Sequence, residues 1–272
     1  MTAVDTSGTT PATNTPRPAP SGPPVFAGDV TVRSITEGSG VTVMTFDTPH
    51  AFDGTRAGQF MMVSSNRDGA PLLARPMSII GTEPLEIAFG YQGEGTRLIA
   101  AAEPGEKLHL LGPLGDPFPP LGPEVTVVVE GAHFGTMLAL CRERHAAGEA
   151  TRVLFVTRPP EQPAGPVTAG EQDAALMAMF EPYADLTALK GDAVIEALEA
   201  RHPGVVAAGA FDHVMARVQA WCEAGGVTGY AALQVAMPCG IGACKSCIKK
   251  FRDDRYHLVC DGPIFPLEEV AF

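Results

Sequence analysis

Basic residues are scarce in this sequence. Lys and Arg number 19 against 31 Asp and Glu, a net charge of −12 at neutral pH. A chain so acidic has no general electrostatic grip on nucleic acid, so a nucleic-acid partner is excluded. Long hydrophobic runs are also missing. No apolar stretch approaches the roughly 20 residues that cross a bilayer, which predicts no membrane partner. The first residues carry neither a basic start nor an apolar core, so no secretory signal is expected. Gly (30) and Pro (25) stay below the level of a wholly disordered chain. No internal repeat is visible. What remains, 272 residues at 45% hydrophobic, is enough for two modest domains with real cores.

Residues 1–24 hold six Pro, six Thr and no aromatic residue. They predict a disordered tail, because so little apolar area cannot offset the entropy of ordering. Residues 25–120 carry short β-rich runs: VTVRSIT (30–36), VTVMTF (41–46), GQFMMVSS (58–65), PMSII (76–80), LEIAFGY (85–91) and KLHLLG (107–112). Turn signals such as Arg67-Asp68-Gly69 separate them, which predicts a small antiparallel barrel. A short helix over 96–102 fits between the last strands. Over 121–229 the rhythm changes to buried strands (125–131, 153–157, 205–209) alternating with helical stretches (134–146, 172–181, 192–201, 212–223). That alternation predicts a parallel α/β layer. Residues 230–272 return to short pieces and read as a small third unit.

Six cysteines are present, four of them within 239–260. A disulfide-stapled exported protein is usually small and short of core, and this chain is neither, so metal ligation in the cytosol is the expectation. Cys239, Cys244, Cys247 and Cys260 have the spacing C-x4-C-x2-C-x12-C. Its first part is the plant-type spacing for a [2Fe–2S] cluster. Thiolates are the soft ligands such a cluster needs. Gly240 and Gly242 in the first loop can take φ > 0 and turn backbone N–H groups toward it. Structural zinc is the alternative, but it prefers paired C-x2-C knuckles. Unliganded thiols are the third reading. Cys141 and Cys222 sit on helical patterns and read as core thiols.

A cluster passes one electron at a time, and flavin is the usual converter to two-electron chemistry. Arg75-Pro76-Met77-Ser78 offers a guanidinium fork for a phosphate and a hydroxyl beside it. Gly93-Glu94-Gly95-Thr96 opens the short helix, whose first turn could face an anion. Taken singly these motifs are common strand edges and turns. Together, GQF (58–60), RPMS (75–78), GEGT (93–96), GPLG (112–115) and CGIGAC (239–244) follow the order seen in the ferredoxin–NADP reductase superfamily. Over residues 26–265 the chain resembles the electron-transfer subunits of NAD-linked, two-subunit dihydroorotate dehydrogenases. The likeness is specific at the cluster and flavin motifs and loose between 131 and 230.

The resemblance implies an FAD-binding barrel, a nucleotide-type α/β domain and a C-terminal [2Fe–2S] segment. It assigns FAD contacts to Arg75, Pro76, Met77 and Ser78, to Ala88, Phe89 and Gly90, and to Gly95 and Thr96. It assigns the cluster ligands to Cys239, Cys244, Cys247 and Cys260. It implies electrons passing from the FMN of a catalytic subunit, through the cluster and FAD, to NAD, in pyrimidine (UMP) biosynthesis. The same resemblance implies a heterotetramer. No catalytic residue is expected in this chain, which would be an electron-transfer subunit rather than a stand-alone enzyme. Two other readings stay open: a reductase component of a different multi-subunit oxidoreductase, and a non-enzymatic iron–sulfur carrier.

Departures from the family pattern bear on NAD. The strand at 125–130 ends in Glu130, where a carboxylate would repel a diphosphate. Only Gly131 and Gly135 remain of a glycine-rich loop. Ala208-Gly209-Ala210-Phe211 stands where the family has Cys-Gly-Pro, and Gln234 where it often has an acid. NAD binding is therefore expected to be weakened, with the α/β domain serving mainly as scaffold. Around the cluster loop, Lys245, Lys249, Lys250, Arg252 and Arg255 face only Asp253 and Asp254 in the local sequence. That charge suggests either a docking face for the partner or a solvated loop. The seven histidines show no metal-binding spacing.

Overall fold

The computed structural model describes residues 25–65, 73–91 and 93–272. The expected tail and the Arg67-Asp68-Gly69 turn lie outside them.

Six strands close a barrel: β1 (Phe26–Gly38), β2 (Val41–Phe46), β3 (Phe60–Ser65), β4 (Arg75–Thr82), β5 (Leu85–Gly90) and β6 (Lys107–Leu114). They run in the order β1-β2-β5-β4-β3-β6, antiparallel throughout. Alternate residues point inward, so Val32, Met44, Phe46, Met61, Ile87 and Leu110 fill the interior. Helix α1 (Glu94–Ala100) caps it by burying Ile99.

The second layer begins at β7 (Val125–Glu130), all six residues of which are buried, as a central parallel strand requires. Helix α2 (Phe134–Ala146) and β8 (Thr151–Thr157) follow. A minimal hairpin of β9 (Pro163–Ala164) and β10 (Val167–Thr168) precedes α3 (Ala169–Phe180). Thr168 starts α3 as a capping box: its hydroxyl accepts the Glu171 N–H, and Glu171 accepts the Thr168 N–H. Next come β11 (Asp185–Lys190), α4 (Val194–Arg201), β12 (Val205–Gly209), α5 (Asp212–Gly225) and β13 (Thr228–Ala232). After the cysteine loop, β14 (Ile248–Lys250) pairs with β15 (Tyr256–Leu258), and β16 (Ile264–Pro266) follows.

The large sheet has the order β11-β8-β7-β12-β13-β16, parallel except for the β13–β16 edge. The C-terminal cysteine segment thus contributes a strand to the α/β sheet. Its Cys247, Phe251, Val259 and Cys260 share one core with Val214 and Val218 of α5 and with Phe60, Met62 and Leu114 of the barrel. Helix α2 lies on the opposite face. It is pinned to the barrel by Arg142, which donates to Glu86 (2.7 Å) and to the Ile80 carbonyl (3.2 Å). Glu143 completes the seam by accepting from Arg56 (2.7 Å) and from the Ala57 N–H (2.7 Å). No helix among the described residues is long and apolar enough to cross a membrane.

Candidate functional site

The loop after Cys239 turns through positive φ at Gly240 (70°), Gly242 (74°) and Lys245 (56°). This winding brings backbone N–H groups onto sulfur. The Cys244 N–H lies 3.5 Å from Cys239 Sγ. Together with the N–H groups of Ile241 and Ala243, it draws the Cys239 thiol down to about 7. Cys247 and Cys260 form a second pair, deep in the core at 2% and 4% exposure. Burial, with Cys247 beside it, pushes the Cys260 thiol up to about 12. Cys244 is exposed and Cys239 half-buried. No three His, Cys, Asp or Glu among the described residues converge on a single-ion site. The sulfurs instead come as two pairs with N–H groups directed at them. That donor set suits a binuclear cluster with two thiolates per iron better than one tetrahedral zinc.

The loop is seated on the barrel. A Cβ at Gly240 would lie 2.6 Å from Met62 Cγ and 3.0 Å from Leu114 Cδ1. The cluster segment therefore abuts the β3–β6 wall, next to the strand that carries the RPMS run.

Arg75 opens β4. Its Nη1 donates to the Leu73 carbonyl at 2.7 Å, and no carboxylate reaches the guanidinium among the described residues. The side chain lies directly over Gly95, where a Cβ would collide with the guanidinium. A guanidinium over the first turn of α1 fits an anionic diphosphate. Ser78 pairs with Thr136 of α2 at 2.8 Å. Pro76 is half-buried at the β3 seam. Met77 and Phe89 are buried in the barrel core, leaving only their backbones for a ligand. Ala88 faces α2, and Gly90 lies under Gln172, which donates to the Gly40 carbonyl at 2.7 Å. Thr96 folds back to donate to the Gly93 carbonyl at 3.0 Å, capping α1. Arg75 and Ser78 are thus the flavin-motif residues that present polar groups, with Gly95 buried beneath Arg75, and FAD is compatible with them.

A cleft of about 750 Å³ opens at the carboxyl ends of β7, β8 and β12, where ligands of open α/β sheets bind. Ala132, His133, Arg158, Phe211, His213 and Gln234 are among its walls. Glu130 stands behind it, 5% exposed, accepting the Phe211 N–H at 3.1 Å. Burial raises its carboxyl above the usual range. Burial also lowers His133 to about 4, leaving a neutral ring hydrogen-bonded to the Glu130 carbonyl. The Arg158 guanidinium is occupied by Asp173 (2.5–3.0 Å) and Gln172 (2.8 Å), and its backbone N–H donates to Asp173 as well (2.9 Å). Sequence reading identified Glu130 but not the Arg158–Asp173 pair, whose members are 15 residues apart.

The basic character expected around the cluster is largely cancelled. Lys249 pairs with Asp212 (2.8 Å) and Lys250 with Asp254 (3.0 Å). Arg252 pairs with Glu223, and Arg255 reaches Asp253 at 3.9 Å. Asp212 and Glu223 come from α5, outside the local sequence. Lys245 alone of the five has no ion-pair partner among the described residues. Cys141 and Cys222 are buried, and burial pushes both thiols to about 12, as core thiols should be.

Residues 235–271 match the family described as the iron-sulfur cluster binding domain of dihydroorotate dehydrogenase B. The chain is 28% identical over 240 residues to the dihydroorotate dehydrogenase B (NAD(+)) electron transfer subunit of Bacillus cereus (strain 03BB102). That alignment covers 79% of this chain and 86% of the relative. The same-named subunit of Bacillus anthracis (strain CDC 684 / NRRL 3495) matches equally, at 28% identity over 79% and 86%. Among solved structures, an NADH-dependent reduced ferredoxin-NADP oxidoreductase superposes with a TM-score of 0.73 at 18% identity, covering 89% of both chains. The ferredoxin reductase of carbazole 1,9a-dioxygenase gives 0.56 at 16%, covering 75% and 65%. The structural likenesses establish the ferredoxin-reductase-like fold.

Proposed function

We propose that this chain is the electron-transfer subunit of an NAD-linked dihydroorotate dehydrogenase. In that role it links the FMN of a catalytic partner, through [2Fe–2S] and FAD, to NAD in pyrimidine synthesis. The observation that carries this reading is the seating of the N–H-lined loop after Cys239, with the buried Cys247–Cys260 pair behind it, against the β3–β6 wall of the barrel, next to the strand that bears Arg75 and Ser78. Bound there, the cluster would supply one-electron transfer and the flavin the conversion to two-electron chemistry.

The chain's own residues do the holding. Cys239, Cys244, Cys247 and Cys260 are the proposed cluster ligands. Arg75 balances diphosphate charge beside Gly95 and Thr96, and Ser78 meets the flavin from β4. Pro76, Met77, Ala88, Phe89 and Gly90 shape that surface through the barrel wall. The core shared by Cys247, Cys260, Met62 and Leu114 would hold the cluster ligands against the barrel. A complex of two catalytic and two electron-transfer subunits in the cytoplasm is the assembly this reading implies.

A visible spectrum with iron assay and acid-extracted flavin tests the cofactors on one sample. The expected result is a coloured protein with about two iron atoms per chain and extractable FAD. A dihydroorotate-oxidising flavoprotein should co-purify with the tagged chain. A preparation still colourless and iron-free after anaerobic reconstitution would overturn the proposal.

A further inference from the structure

The first turn of α2 touches the flavin run from behind. A Cβ at Gly135 would lie 3.1 Å from Ser78 Cβ and 3.6 Å from the Ala88 carbonyl, so this turn approaches β4 and β5 as closely as glycine permits. The next residue, Thr136, is 7% exposed, and its Oγ1 lies 2.8 Å from Ser78 Oγ. Neither hydroxyl has another recorded hydrogen-bond partner among the described residues. Each hydroxyl carries one proton and two acceptor lone pairs. A buried donor left unmatched is costly, and Ser78 is the acceptor within reach of Thr136. Thr136 therefore donates. Ser78, half-buried at the barrel surface, accepts, and its own proton stays free for a group outside the strand.

We infer that Thr136 is a positioning residue for the flavin, holding the Ser78 hydroxyl so that its proton faces the cofactor. This rests on the reading that Ser78 meets FAD. It also gives the α/β layer a direct role at the flavin surface. Ala132 and His133 line the cleft, and three residues further on Thr136 fixes Ser78.

The test uses the full-length chain, stripped of flavin and titrated with FAD, followed by flavin fluorescence and the visible absorption bands. Thr136→Val keeps the shape and removes the hydroxyl. Ser78→Ala and Thr136→Val should each weaken FAD binding by about fivefold, the effect of one lost hydrogen bond. Both should shift the flavin bands in the same direction. The double variant should be no worse than either single one, and Thr136→Ser should restore wild-type values. If Ser78→Ala changes neither affinity nor spectrum, Ser78 does not face the flavin and the underlying reading fails. If Ser78→Ala has its effect while Thr136→Val behaves as wild type, or the two effects add, the role of Thr136 is overturned. Failure of Thr136→Ser to restore the bands overturns it equally. Should Thr136→Val not fold, Thr136→Ala replaces it against the same Thr136→Ser control.

Discussion

Glu130 ends a strand whose other residues are four valines and one buried threonine, Thr126, and its carboxylate has one backbone donor, the Phe211 N–H at 3.1 Å. Burial favours its neutral form and raises its pKa. In the folded chain it therefore holds a proton to higher pH than in the unfolded chain, where the value is 4.5. Below 4.5 both states are protonated and nothing is lost. As pH rises from there toward the raised folded value, stability falls, and it stays lowered above that value. Glu130→Gln keeps an acceptor for Phe211 and removes the charge. This variant should melt higher than the parent at pH 8, with the advantage fading as pH drops toward 4.5. The same charge stands behind the cleft at the strand ends, so removing it should tighten NADH binding on the order of fivefold. NADH titration against the flavin absorbance reads this directly. Rapid bleaching of the wild-type flavin at micromolar NADH, with no gain in the variant, would show that Glu130 does not weaken the site.

Elements differ in how openly their sequences declare them. Strand β7 was legible because four valines in six residues are what a doubly covered parallel strand needs, and α2 because the helix-forming run Met137-Leu138-Ala139-Leu140 stands within 134–146. Strand β11, Asp185–Lys190, has no such signal: it is the sheet's edge, with no residue fully buried. Strand β13, Thr-Gly-Tyr-Ala-Ala, has weak intrinsic β preference and is held by β12 on one side and β16 on the other. The clamp at the end of α2 was equally hidden, because three of its five partners are backbone carbonyls. Arg144, 4% exposed, donates to Thr151 Oγ1 (2.9 Å) and to the carbonyls of Gly122 (2.9 Å), Pro123 (2.9 Å) and Ala150 (3.0 Å). It also pairs with Glu149 at 2.7 Å. One planar fork thus ties the helix to the segments entering β7 and β8. Lysine keeps the charge but cannot span these acceptors. Arg144→Lys should lower unfolding stability by about 3 kcal/mol, seen as a reduced urea midpoint with unchanged slope. An unchanged midpoint would mean the clamp adds no net stability.

At the scale of the molecule, the cysteine spacing announced the cluster, but nothing in the sequence said what it rests on. The segment that reads as a separate C-terminal unit is built into both neighbours. Strand β16 extends the α/β sheet, and Val259, Phe251 and Val270 join the core under α5. The neutralised basic face has the same origin: Lys249 meets Asp212 across 37 residues of chain, and Arg252 meets Glu223 across 29. Gly240 is where the seating on the barrel is tightest, since it combines φ of 70° with a Cβ position 2.6 Å from Met62 Cγ. Gly240→Ala therefore meets two costs: about 1–2 kcal/mol for alanine in the left-handed region, and about 1–3 kcal/mol for crowding Met62. The expected outcome is a protein that keeps its FAD and loses most of its iron, because the strained loop no longer aligns its N–H groups on Cys239. Adding Met62→Ala relieves the crowding and leaves the backbone strain, so iron content should recover in part. Full iron in Gly240→Ala alone would mean that the loop is not fixed by the barrel. Iron that stays absent in the double variant would assign the whole effect to φ. Partial recovery would show that the barrel wall itself positions the cluster relative to the flavin surface.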